Sequence, residues 1–211
     1  MDPLFLAYLS LTAALVVTPG ATTAVVVRNT LSAGWRGGLA AAVGAAAGNT
    51  AHATAAGLGL AVVIARQPTL LLVIQLAGGC YLAWLGVRSA RRLIGGEALP
   101  ISGEILGARA TLAHRHAVRE GVTVNLLNPA IATFYLAVVP SFLPAGTPRG
   151  YYVQLAAAHV AMAFACHSLW ALGMDRLRHV IERPAARIAL EGLTAAALLL
   201  LSARLLLSAN W

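Results

Sequence analysis

Long uncharged apolar runs alternate along this chain with shorter connections that carry most of its arginines. A helix needs about 20 mostly apolar residues to cross a bilayer. Six runs meet that length: Leu4–Val27, Gly38–Ala65, Pro68–Val87, Gly121–Leu143, Tyr151–Gly173 and Ile188–Leu207. The pattern predicts an all-α integral membrane protein with six transmembrane helices. A longer polar connection, Arg88 to Glu120, separates three runs from the other three and holds Gly95-Gly96, Pro100 and the basic patch His114-Arg115-His116. The layout reads as a single transmembrane domain over 1–211. Its parts are a first three-helix repeat at 4–94, a basic linker at 95–118 and a second three-helix repeat at 119–207. With three spans per half, the second half starts from the opposite face, so any repeat must be inverted. A five-span layout, with the termini on opposite faces, ranks second.

Two runs are interrupted. The stretch Val124–Pro140 reads VNLLNPAIATFYLAVVP, with Asn125 and Asn128 in apolar surroundings and Pro129 in mid-segment. The first run carries Thr18-Pro19-Gly20 at a comparable place. Proline inside a helix removes a hydrogen bond and displaces the carbonyl one turn back. In hydrocarbon the freed groups must be buried in protein or line a polar cavity. Each break is thus either a tolerated kink or the wall of a site, and breaks at matching places in two halves suggest a carrier.

Composition sharpens the membrane assignment. Hydrophobic residues make up 59% of the chain and charged ones 10%, with a mean hydropathy of +0.78, against about 45–50% and 25% in soluble domains. The +8 charge comes from fifteen arginines and no lysine against seven acids. Gathered in connections, these arginines set orientation and do not mark a nucleic-acid partner. Three (Arg66, Arg149, Arg204) fall on one face and twelve on the other. The excess predicts both termini outside and the central linker in the cytoplasm. Trp35, Trp84, Trp170, Tyr151 and Trp211 sit near the expected interfaces, as an aromatic belt requires. Cys80 and Cys166 lie in apolar runs without CxxC or metal spacing and read as small core hydrophobes. The N-terminus lacks the charged region and cleavage site of a signal peptide, so its apolar stretch reads as the first span.

Candidate chemistry follows the breaks. In the second run Gly44, Gly48 and His52 recur every four residues, with Asn49 beside them. That face reads either as a small-residue packing groove or as part of a transport path. An ionisable residue within the membrane generally faces the protein interior or a cavity, and histidine exchanges protons near neutral pH. His52 is therefore the proton-coupling candidate. Asn125 and Asn128 can hold a zwitterion or recapture backbone groups freed at Pro129. At Pro19-Gly20, glycine permits close approach and Thr22 or its neighbours can satisfy loose carbonyls. A helix restarting at either break would offer free N–H groups to a carboxylate. The predicted substrate-binding set is Pro19, Gly20, Thr22, Asn49, Asn125, Asn128 and Pro129. His159 and His167, eight residues apart, read as core residues, and Glu191 as a paired structural acid. The absence of HExxH, Walker A, GxGxxG and a Ser-His-Asp order argues against an enzyme and against an ATP-driven pump. Neither a metal nor a cofactor is expected.

Several stretches together resemble the LysE/RhtB family of bacterial amino-acid exporters over nearly the full chain. They are Thr18-Pro19-Gly20, the turn Gly34-Trp35-Arg36-Gly37, the GxxxG face ending at His52, GGCYLAWLGV at Gly78–Val87, and Val124–Phe142. The homoserine/threonine-type branch looks nearest, since its second span also carries GxxxGxxxH. The resemblance implies a bacterial inner-membrane exporter of amino acids or similar small metabolites, driven by the proton motive force. It also implies two inverted three-helix repeats, one rocking against the other. One position departs from the family: Asn-Pro-Lys is usual there, whereas Ala130 follows Asn128-Pro129 here. Two other classes compete, a membrane thiol-redox electron carrier and a non-transporting assembly factor. The Gly/Ala-rich second span also leaves room for a homodimer.

Overall fold

The structure is a computed structural model that describes residues 3–59, 68–94, 108–143, 146, 148–177 and 184–207. Outside them fall residues 60–65 of the second expected span, residues 95–107 of the linker, and Arg66, Arg178, Arg183 and Trp211. The side chains of Arg187 and Glu191 are likewise not described. Regular structure among the described residues is helical throughout: α1 (Pro3–Val17), α2 (Ala21–Gly57), α3 (Pro68–Ile94), α4 (Ala108–Leu126), α5 (Pro129–Ser141), α6 (Arg149–Arg176) and α7 (Pro184–Leu207).

Both proline breaks are real bends. The chain turns by 50° between α1 and α2 and by 54° between α4 and α5. Thr18 Oγ1 donates to the Ala14 carbonyl at the end of α1, 2.8 Å away. Asn128 caps α5: its side-chain oxygen accepts from the Ala130 N–H at 3.0 Å. Pro129 takes the first helical position, where its missing N–H has no partner to lose. Further along, Pro140 would crowd the carbonyl of Leu136 one turn back. The chain answers with a wide π turn over Phe134–Val138, the usual way to absorb a misfit inside a helix.

A third change of direction lies within α2. Gly34 has φ 68° and Ala33 leaves helical geometry beside it. A methyl group on Gly37 would sit 2.7 Å from the Asn29 carbonyl oxygen. In a straight helix those residues would lie about 12 Å apart along the axis, so the chain folds back at Gly34. Asp175 at the end of α6 accepts from the Trp35 N–H at 3.1 Å and steadies the start of the second limb. The expected division into a first and a second span thus falls at Gly34.

The second limb of α2 crosses α4 backbone to backbone. A methyl on Gly44 would meet the Val118 carbonyl carbon and the Val122 nitrogen, both at 2.9 Å. One on Gly121 would meet the Ala41 carbonyl carbon and the Ala45 nitrogen at 3.0 Å. The small-residue face expected of the second span is therefore a packing surface. On its other side α2 packs against α6. Helices α3 and α7 form a separate pair: Leu206 and Leu199 fill the space over Gly79 and Gly86, and Ser202 Oγ donates to the Gly79 carbonyl at 2.8 Å. Leu82, Leu85 and Leu198 join this pair to Val25, Val26 and Ala41 of α2.

The two halves of the chain are consequently interleaved. Helices of 4–94 find their main partners in 119–207: α2 on α4 and α6, and α3 on α7. The basic stretch read as a connection is helical from Ala108 onward, because its apolar side packs on α2 while His116 and Arg115 face outward. By length and apolarity α6 can cross a membrane, as can each bent pair if counted as one span. Leu6, Leu15, Leu169 and Leu200 are exposed on the outside, the surface that lipid requires.

Candidate functional site

The two breaks meet at one cavity of about 300 Å³. Gly20 and Ala21 contribute from the first break, and Leu127, Asn128, Pro129 and Ala130 from the second. Gly78, Tyr81 and Leu82 of α3 and Leu201 and Arg204 of α7 close the opposite wall. The cavity therefore lies where the α3–α7 pair faces the bent helices. A methyl on Gly20 would meet nothing within 4 Å, so the glycine leaves open space at the break. Helix α2 starts without a side-chain cap, and its first N–H groups keep their donor capacity. Because the Asn128 oxygen is occupied by Ala130 N–H, its amide nitrogen remains as a donor. Ala130 stands on the wall where the resembling family carries lysine, and the positive charge on the wall comes from Arg204.

Gly20, Asn128 and Pro129 thus share the cavity, while the other expected site residues lie apart from it. Pro19 is exposed beside the break, and Thr22 is buried in the first turn of α2. Its Oγ1 has no hydrogen-bond partner among the described residues. Asn49, His52 and Asn125 cluster on the far side of α4, at the α2 crossing. Asn125 donates through Nδ2 to Asn49 Oδ1 at 3.0 Å, and both are 1% exposed. His52 Nε2 lies 3.2 Å from the Asn125 carbonyl oxygen. Its ring also stacks on Tyr135 with centroids 6.4 Å apart. Tyr135 continues the contact, its hydroxyl 2.8 Å from His159 Nδ1, and the His159 ring stacks on Phe134 at 4.2 Å. His159 and His167 are buried, in line with a core role.

Arg204 reads in the sequence as an orienting arginine and Tyr81 carries no signal there, because neither stands near a break along the chain. The one available signal was a lone arginine in the apolar run Leu198–Leu207. Arg28 was counted among the orienting arginines, yet it is buried and paired with Glu120 of α4. Asn29 Nδ2 donates to the same carboxylate at 2.9 Å, and His116 Nδ1 lies 3.4 Å from its other oxygen. This network ties the first limb of α2 to α4.

A larger recess of about 1210 Å³ runs along α2, α5 and α6. It is lined mainly by apolar side chains such as Val43, Leu136, Val160 and Phe164. Its hydroxyls are already used: Thr50 and Thr54 bond within α2, and Tyr152 donates to the Ala53 carbonyl. Such a groove suits acyl chains better than a polar solute. The larger recess also has a cation, Arg149, among its lining residues, but the smaller cavity joins both breaks and has free donors beside its cation, and it is the candidate site.

Comparison with known proteins agrees with this architecture. The sequence model of the family described as "LysE type translocator" matches residues 13–209. The chain belongs to the LysE translocator family. It is 31% identical over 140 residues to the uncharacterized membrane protein YrhP of Bacillus subtilis, covering 65% of this chain and 67% of that protein. It is 30% identical over 151 residues to the uncharacterized membrane protein YahN of Escherichia coli, covering 70% and 65%. A homoserine/homoserine lactone efflux protein of Salmonella typhimurium is 27% identical over 143 residues, covering 68% of this chain and 66% of that protein. Each match spans about two thirds of the relative's length. No solved structure matches. This LysE-family chain is an all-helical, multi-pass membrane protein.

Proposed function

We propose that this LysE-family chain is a secondary transporter, not an enzyme, that exports an amino acid or a related small metabolite across the bacterial inner membrane. One observation carries the reading: two proline-broken helices meet at a single cavity that holds unspent donors and a cation. A packed structural protein has no use for such a recess, whereas a carrier needs one near the membrane midplane. The efflux activity in the name of the Salmonella relative supports the direction and class of solute.

The packing favours a particular form of alternating access. Rocking one three-helix half against the other would separate Gly44 from Val118 and Gly121 from Ala41, which touch through backbone. Movement of the α3–α7 pair against the rest leaves that crossing intact and opens the cavity wall. In this scheme each half contributes a broken helix, a long second helix and a mobile third, the order expected of inverted repeats. The termini lie outside and the linker inside.

Gly20, Asn128 and Pro129 form the solute wall, and Pro19 and Thr22 shape the first break. Asn49 and Asn125 hold the wall from behind. His52 remains the proton-coupling candidate for antiport, with Tyr135 and His159 continuing from it into α6. Purified protein in proteoliposomes, loaded with a panel of neutral amino acids, tests the proposal by counterflow and by response to an imposed pH gradient. Uptake of a labelled solute only into preloaded vesicles is the expected result. No counterflow with any member would overturn it. Full pH-driven transport by His52→Ala would remove the histidine from the coupling step.

A further inference from the structure

Arg204 lines the cavity between the two breaks, is exposed on the helix bundle, and makes no hydrogen bond or ion pair among the described residues. Its guanidinium carries only donors and cannot be deprotonated in a protein. No aspartate or glutamate stands among the cavity's described lining residues, so this charge has no counter-ion there. The polar groups around it include free donors, the Asn128 amide nitrogen and the uncapped start of α2 at Ala21, beside the Tyr81 hydroxyl. Much of the rest of the wall is apolar, from Leu82, Val124, Leu127 and Leu201. A solute that offers only an ammonium would be repelled here, and a neutral apolar group would leave every donor unpaired.

We infer that the cavity binds the carboxylate of its solute, with Arg204 as the charge partner and Asn128 Nδ2 as a neutral donor. Arginine suits the task, since its planar fork pairs with a carboxylate through two parallel hydrogen bonds. The inference rests on the export reading and narrows it: the solute enters as a free acid, its carboxylate toward Arg204, its ammonium turned away from that charge, and a small or apolar side chain against the leucines. A lipid phosphate at the end of α7 would satisfy the same guanidinium, and the test separates the two sources.

The test is thermal stabilisation of the purified full chain by a panel of neutral L-amino acids that includes homoserine. Each is compared with its amide, which loses the carboxylate charge and keeps the ammonium, and homoserine also with its lactone, which loses the side-chain hydroxyl as well. At least one free acid should stabilise the wild type, with its amide weaker by about tenfold or more. Arg204→Gln should lower apparent affinity for that acid by about tenfold and leave the cationic amide bound no more weakly than before. Arg204→Lys should fall between, because it keeps the charge and loses the fork. Unliganded melting temperatures show that each variant is folded. Equal stabilisation of the wild type by acid and amide would overturn this inference and leave export standing. Equal weakening of both by Arg204→Gln would also overturn it, as expected of an arginine held on lipid phosphate. A wild type stabilised by no compound would overturn both readings.

Discussion

Helix α4 has two faces that treat polar groups in opposite ways. Toward α2 it is dry: Gly44 and Gly121 bring the backbones into contact, and Asn125 Nδ2 is spent on Asn49 while its Oδ1 is buried without a partner among the described residues. Toward α3 and α7 it opens on a cavity where Asn128 keeps a free donor and Arg204 lacks a partner among the described residues. Only Leu126 and Leu127 separate Asn125 from Asn128, yet one amide stabilises the fold and the other is available to a ligand. A polar residue within a membrane is therefore not in itself a site. Its use depends on whether a neighbouring helix has already claimed its hydrogen bonds.

The largest expected effect is on the dry face. Gly121→Leu would drive a side chain into the Ala41–Ala45 backbone, where even a methyl lies 3.0 Å from two atoms. We expect no monodisperse folded protein on size-exclusion chromatography. Glu120→Ala leaves the buried Arg28 without its acid and should destabilise by about 3–5 kcal/mol. Arg28→Met/Glu120→Leu, which removes both charges, should recover most of that loss in thermal melts. Recovery would show that the pair matters through the charge left behind. Asn125→Ala strands Asn49 in a buried position and should destabilise by about 1–3 kcal/mol.

Across the helix the balance reverses. Asn128→Ala removes a helix cap worth about 0.5–2 kcal/mol and should reduce transport by about tenfold per folded molecule. If Asn128→Ala instead acted only through folded yield, the contrast between the two faces would fail. The smallest expected effect is that of Pro140→Ala. It restores an N–H and relieves the crowding that the π turn absorbs, so amide exchange over Phe134–Val138 should slow with little change in melting temperature.

Much of this was legible in the sequence because it is local. Asn128-Pro129 announces a cap followed by a first-turn proline, and Thr18-Pro19-Gly20 announces the other break. Four-residue spacing put Gly44, Gly48 and His52 on one face. That the face packs on α4 was one of two open readings, and glycine spacing alone cannot show what covers it. The interleaving of the halves was hidden for the same reason. Arg28 and Glu120 are 92 residues apart in sequence, and Arg204 reaches the cavity from the last helix. Such meetings depend on which helices pair, and composition does not encode that choice. Nothing in the chain reveals that Asn49 and Asn125 face one another.

The account stands or falls on whether the space between the two breaks is wet and reachable from both sides of the membrane. Ala130→Cys, in a background carrying Cys80→Ser and Cys166→Ser, places a thiol on that wall. A membrane-impermeant thiol reagent is applied to right-side-out and to inside-out vesicles. Labelling from both sides, slowed by a transported solute, is the predicted result. A thiol that is inert from both sides, or labelled from one side only and indifferent to every solute, would contradict it.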